Sequence, residues 1–246
     1  MDSIAPVFFL YHFVFENAQE VLFEVKLNPE TLEYIPPHDQ KKPDWTRLDF
    51  QPCGHCGARC EELVYCPIAV NTAHVIEAFK NVESYRITDI SVETRERTYS
   101  KKGISTQQAL SSLLGIFMVT SGCEALDKLR PMVKYHLPFA TVEETIYRTA
   151  SMYLLAQFFQ KRHGKEPDWD LSELTDVYQK ISEVNVNICE RLKRSAVQDA
   201  SMNAVVILDV FAEMISISLE EELDHLEHLF LDYLQEDTLG DFYGYK

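Results

Sequence analysis

Residues 7–35 alternate apolar and polar positions at the two-residue period of a half-buried strand. The runs VFFLYHFVF and EVLFEVKL are rich in aromatic and β-branched residues and are separated by ENAQ. NPET then offers a second turn before LEYI, so residues 1–36 read as an N-terminal β-meander. Further on, RITDISVETRERTY sets Ile90, Val92 and Thr94 against Ser91, Glu93 and Arg95, which predicts one more strand near 86–99 with a wet face.

Between these lies IPPHDQKKPDW, a proline-rich linker that leads into the cysteine segment, the two together occupying 37–66. Pro67 is placed to open a helix running to about Val82. After residue 105 the pattern is helical. STQQALSSLLGIFMVTSG is apolar nearly all round and predicts a buried central helix stopped at Gly122. CEALDKLR predicts a short helix ending at Pro131. TVEE has the form of a capping box, Thr141 to Glu144, at the head of a helix reaching about His163. From Leu171 to Arg194, Leu174, Val177, Ile181, Val184, Ile188 and Arg191/Leu192 recur at steps of three and four. A last helical stretch from Ala200 to Leu234 carries a candidate break at Ser216–Ser218. The fold class is therefore α+β: a small antiparallel N-terminal sheet, a cysteine-rich segment, and a mainly helical bundle over 67–236, followed by an acidic tail, 237–246.

Composition narrows the partners. The chain of 246 residues has 23 Lys and Arg against 39 Asp and Glu, a formal net charge of −16. That sign repels phosphate backbones and anionic lipid, so nucleic acid and membrane surfaces are not expected partners. The stretch Glu220 to Asp241 holds acidic residues and no Lys or Arg. It reads as a solvated helix face with a frayed end, although a basic protein partner would also fit it. No secretory signal is recognisable. AVVILDVFAEMISI comes nearest to a membrane span, interrupted by Asp209 and Glu213, so a cytoplasmic location is expected.

Four of the six cysteines fall within CGHCGARCEELVYC, residues 53–66. In a reducing compartment such clustering points to metal ligation rather than disulfides. Cys53 and Cys56 can meet one ion across a tight turn, and Cys60 and Cys66 can complete four sulfurs. Zinc suits four thiolates with no open position, as a structural site that contributes folding energy. An iron–sulfur cluster ranks second: Pro67 after Cys66 matches the Cys-Pro close of ferredoxin cluster runs, but the later cysteine spacings fit neither iron–sulfur pattern. Were only three cysteines to bind, His55 or His74 could supply the fourth ligand.

Other constellations are thinner. Cys123, His136 and Glu143 could form an enzyme site, with cysteine and histidine as a nucleophile pair, but spacing alone does not bring them together. Helical projection puts Glu143 on the apolar face with Ile146, Ala150 and Tyr153, with Arg148 or Arg130 as its expected partner. Glu222, His225 and His228 share di-iron spacing but flank or oppose the Leu219, Leu223, Leu226 stripe, which makes them a solvated face. Walker, G-x-G-x-x-G, H-E-x-x-H and G-x-S-x-G motifs are absent from the chain.

WTRLDFQPCGHC, CPIAVN, SGCEALDKLRPMVKYHLPFATVEETIYR and YLLAQFF together resemble a family of uncharacterised bacterial proteins that combine Cys-x-x-Cys, a later Cys-Pro and an HLPF stretch. The resemblance covers residue 45 to about 215. It implies Cys53, Cys56 and Cys66 as a ligand set and leaves Cys60 open. Glu124 departs from the family pattern, which has proline after the SGC cysteine. The leading reading is a protein with a structural cysteine site and a binding or regulatory role. The alternatives are an iron–sulfur redox or sensor protein, and an enzyme.

Overall fold

The computed structural model describes residues 5–56, 63–195 and 199–234. Strands β1 (Val7–Phe15) and β2 (Glu20–Leu27) form the expected hairpin, with Phe13 opposite Val21 and Tyr11 opposite Phe23. LEYI contributes only a single bridge, Tyr34 to Leu27, instead of a strand. The later strand prediction resolves into a hairpin, β3 (Ile87–Glu93) and β4 (Thr98–Ser105). β3 pairs antiparallel with β1, so the two hairpins make one four-stranded sheet in the order β2-β1-β3-β4. β4 escapes a pattern-based reading for a physical reason. It is an edge strand that buries only Ile104 of TYSKKGIS, and both its faces are otherwise wet.

The buried face of β1 is aromatic: Phe9, Tyr11, Phe13 and Phe15 alternate inward, at most 3% exposed. Two helices complete this core, α1 (Pro67–Ala78) and α2 (Thr106–Val119). Phe13 meets Phe79, just beyond α1, edge-to-face at 5.0 Å between ring centres. α2 is buried nearly all round, as its apolar pattern requires, because it packs on β3, β4, α1 and the long helix over residues Asp199–Asp224.

Past α2, Glu124–Leu129 is a 3₁₀ turn rather than an α-helix, and α3 (Arg130–Lys134) starts one residue before Pro131, the proline expected to end the helix. Pro131 falls in the first turn, where its missing N–H costs nothing. α4 (Val142–Arg162) opens on the capping box: Thr141 accepts from the Glu144 amide and Glu144 from the Thr141 amide. α5 (Ser172–Arg194) pairs with α6 (Asp199–Asp224), which leaves helical geometry at Ser218, inside the expected break. By length and composition α6 would be able to cross a membrane; here it packs on α5, α2 and α4. A short α7 (Leu231–Leu234) ends the described chain.

The proline-rich stretch is anchored rather than loose. Cys66 N donates to Thr46 O at 2.8 Å, Leu48 N to Val64 O at 3.0 Å, and Arg47 bridges to Tyr65. Residues 46–48 and 64–66 are thereby pinned to each other at the start of α1.

Candidate metal centre

Cys53 and Cys56 sit at the two ends of one tight turn, closed by a 3.1 Å bond from the Cys56 amide to the Cys53 carbonyl. Cys66 is the N-cap of α1, with Pro67 fixing the first helical residue. Cys123 arrives from elsewhere in the chain, after the stop of α2. There Gly122 takes a left-handed turn, φ +84°, which favours glycine, and Cys123 then caps the 3₁₀ turn. These four cysteines line a single cavity of about 40 Å³, walled also by Leu48, Ile68 and, from α5, Val184, Ile188 and Arg191.

Arg191 organises this site. The helical period puts it on the buried stripe of α5, and it is only 2% exposed. Its guanidinium donates to four backbone carbonyls of the segment leading into the cysteines. Nη1 reaches Trp45 and Arg47, each at 2.6 Å, and Nη2 reaches Leu48 at 3.4 Å and also Gln51. Among the described residues it forms no ion pair. Burial favours its neutral form, and the neighbouring Cys66, Cys56 and Cys53 pull the other way. Negative charge on Cys66, Cys56 and Cys53, once ionised, would offset that buried cation, with a smaller share from Asp49.

The thiols in their protonated form are quiet. Burial pushes Cys123 up to about 11 and raises Cys66, with the amides of Ala69 and Ile68 opposing the shift at Cys66. Such thiols ionise only when a metal replaces the proton. Among the described residues no three His, Cys, Asp or Glu side chains are set closely enough to hold one metal ion as they stand. Four thiolates on one zinc would lie about 4 Å apart, given Zn–S bonds of about 2.3 Å.

The remaining expectations sort themselves by location. Cys60 lies outside the described residues. His55 lines the same cavity, but its Nε2 lies 2.6 Å from Glu183 on α5, at ion-pair distance without hydrogen-bond alignment. His74 is elsewhere: on α1 it stacks parallel to Tyr34 at 6.2 Å and meets Phe117 edge-on at 4.8 Å. Glu143 is exposed in the first turn of α4, not buried on its apolar face. Ile146 is the first residue of that face to be covered. The expected partners are engaged otherwise, Arg148 with the carbonyls of Met132 and Tyr135, and Arg130 with Asp127 and Glu33. His225 and His228 are exposed.

Cys123 and His136 line different cavities and are not brought together. His136 Nε2 lies 2.6 Å from the Tyr11 hydroxyl and 3.2 Å from Ser112 Oγ. Desolvation, aided by the charge on Arg148, lowers it to about 3. Between that value and the unfolded value of about 6.5 the unfolded chain binds the extra proton, so this residue's contribution to stability is complete above pH 6.5 and is lost as pH falls toward 3. Urea midpoints measured from pH 7.5 to 4.5 should therefore drop for the wild type and flatten in His136→Gln. An unchanged slope in the variant would assign the acid sensitivity to other groups.

The residues that reading the sequence missed are Cys123 as a companion of the cysteine segment and Arg191 as its anchor. An arginine at an apolar-stripe position was the available signal for the second. For the first there was none, because Cys123 is far along the chain. The model of a family described as a domain of unknown function (DUF6901) matches residues 9–231, so the chain belongs to that family. No curated protein and no solved structure matches the chain.

Proposed function

We propose that this member of the DUF6901 family holds an iron–sulfur cluster on Cys53, Cys56, Cys66 and Cys123 and serves in a redox or sensing role. The observation that carries the reading is the convergence of four cysteines from three separate segments on one cavity. A four-iron cluster takes one thiolate per iron, and four cysteines drawn from separate segments supply that number. The Cys-Pro at Cys66–Pro67 agrees with it.

Arg191 then has an electrostatic task as well as a structural one. A cluster with four thiolates is an anion, and a guanidinium beside it offsets that charge and favours the reduced form. Cys123 joins the end of α2 to the cysteine segment through the centre, so the cluster also ties sheet, linker and bundle together.

The test is iron, acid-labile sulfide and zinc analysis with a visible spectrum, on full-length protein purified without air or added metal. About four irons and four sulfides per chain with a broad visible band is the expected result. One zinc per chain and no visible band would replace the cluster with a structural clamp. Protein free of metal would overturn the site altogether.

A further inference from the structure

A second and larger cavity, about 360 Å³, opens on the other side of α2, enclosed by α2, the α3–α4 region, α5 and α6. Its walls are mostly aliphatic, among them Ile116, Leu129, Ile181 and Leu208. The HLPFA stretch, which no role at the cysteines absorbs, supplies His136, Leu137, Phe139 and Ala140 to this wall. Phe139 is held there at φ 60°, a left-handed conformation uncommon for a bulky side chain, so the loop keeps this shape at a cost.

Three polar features set its chemistry. Asn185 on α5 is 2% exposed as a residue and lines the cavity, where its amide offers both a donor and an acceptor. Arg148 on α4 is partly buried and lends only Nη2 to the protein, to Met132 O at 2.9 Å and Tyr135 O at 3.0 Å. Its Nε and Nη1 make no hydrogen bond to the described residues. Glu144, the nearby carboxylate, is committed to the α4 cap. Finally, the cavity is lined by Arg148 and Lys101 and, among the described residues, by no Asp or Glu, in a chain of net charge −16. Cations gathered at an apolar hollow of so acidic a protein select an anion attached to an apolar body.

We propose that this cavity binds an apolar monocarboxylate the size of a medium-chain fatty acid, with its carboxylate on Arg148 and its chain lying between α2, α5 and α6. The volume stands near the lower end of ligand pockets, ~300–1,000 Å³, which suits a chain of about ten carbons. The planar fork of Arg148 offers the unused Nε and Nη1 as donors to a carboxylate, and Lys101 adds charge at the edge.

Calorimetric titration of the full-length protein with decanoate, and separately with decanol, tests the assignment. Decanoate should bind at least tenfold more tightly than decanol. Arg148→Gln should bring decanoate down to the level of decanol. Gly115→Leu should abolish binding of both, because Gly115 lines the cavity and a side chain there projects into it; its Cβ meets only the tip of Leu208, at 3.5 Å. Far-ultraviolet circular dichroism checks both variants, and if Arg148→Gln fails to fold, Gly115→Leu decides alone. No decanoate binding, equal affinity for decanol, or undiminished binding by Gly115→Leu would each overturn the proposal. The test reads no metal, so its result is independent of the cysteine centre.

Discussion

Cys123→Ser is expected to strip the visible band and most of the iron from the purified protein, while Cys60→Ser leaves both in place. The cavity lining makes this contrast sharp, because Cys123 comes from the turn after α2 and still shares its space with Cys53, Cys56 and Cys66. Loss of a ligand should lower metal affinity by more than the roughly 10–100-fold that changes in outer-shell partners cost. Circular dichroism separates ligand loss from misfolding, since serine fills nearly the same volume at this partly buried position while the tie through the centre is lost. The opposite pattern, with Cys60→Ser losing metal and Cys123→Ser keeping it, would return the ligand set to the contiguous run Cys53, Cys56, Cys60 and Cys66 and favour zinc. If Cys123 were a nucleophile, serine would abolish a turnover and leave the metal untouched. Its burial and the distant placement of His136 make that the outcome least suited to the site.

The second large effect belongs to Arg191. Replacing it with Met keeps the apolar stem but leaves the carbonyls of Trp45, Arg47, Leu48 and Gln51 without their shared donor. Unmet buried carbonyls cost about 1–3 kcal/mol each, and part of that returns as water reaches them. A net loss of roughly 3–5 kcal/mol in urea unfolding is expected. Lysine should recover only a fraction, because an ammonium cannot span two pairs of acceptors as a planar guanidinium does. Metal content should fall with stability in Arg191→Met, since the turns that carry Cys53 and Cys56 lose their support. A change below about 1 kcal/mol would mean that these carbonyls are satisfied without the arginine, and its role would shrink to packing.

The two substitutions probe features that were unequally visible beforehand. Arg191 stood in plain sight on the stripe of α5, at the step where Leu192 also falls, and helical periodicity alone could place it inward. What it would touch there was not legible, because its partners are carbonyls some 140 residues earlier, and a carbonyl carries no sequence identity. Asn185 shares the stripe and the same limitation. Glu143 shows the converse error. Projection assigned it to an apolar face, but a helix's first turn can overhang the body it packs against, and this one does.

Local grammar by itself determined a good part of the protein: the β1–β2 hairpin, the proline start of α1, the Thr141–Glu144 cap, the kink near Ser218 and the α+β class. These are matters of neighbouring residues, settled by dihedral preference, capping and period within a few turns. Only tertiary packing decided that β3 pairs with β1, that Cys123 rather than His74 shares the cysteine cavity, and that Arg148 and Asn185 face one hollow. The hydrophobic pattern says which side of an element leaves water and not what it meets there. That choice is made by shape and burial across the whole chain, where contacts far apart in sequence are stabilised only once the elements are already together.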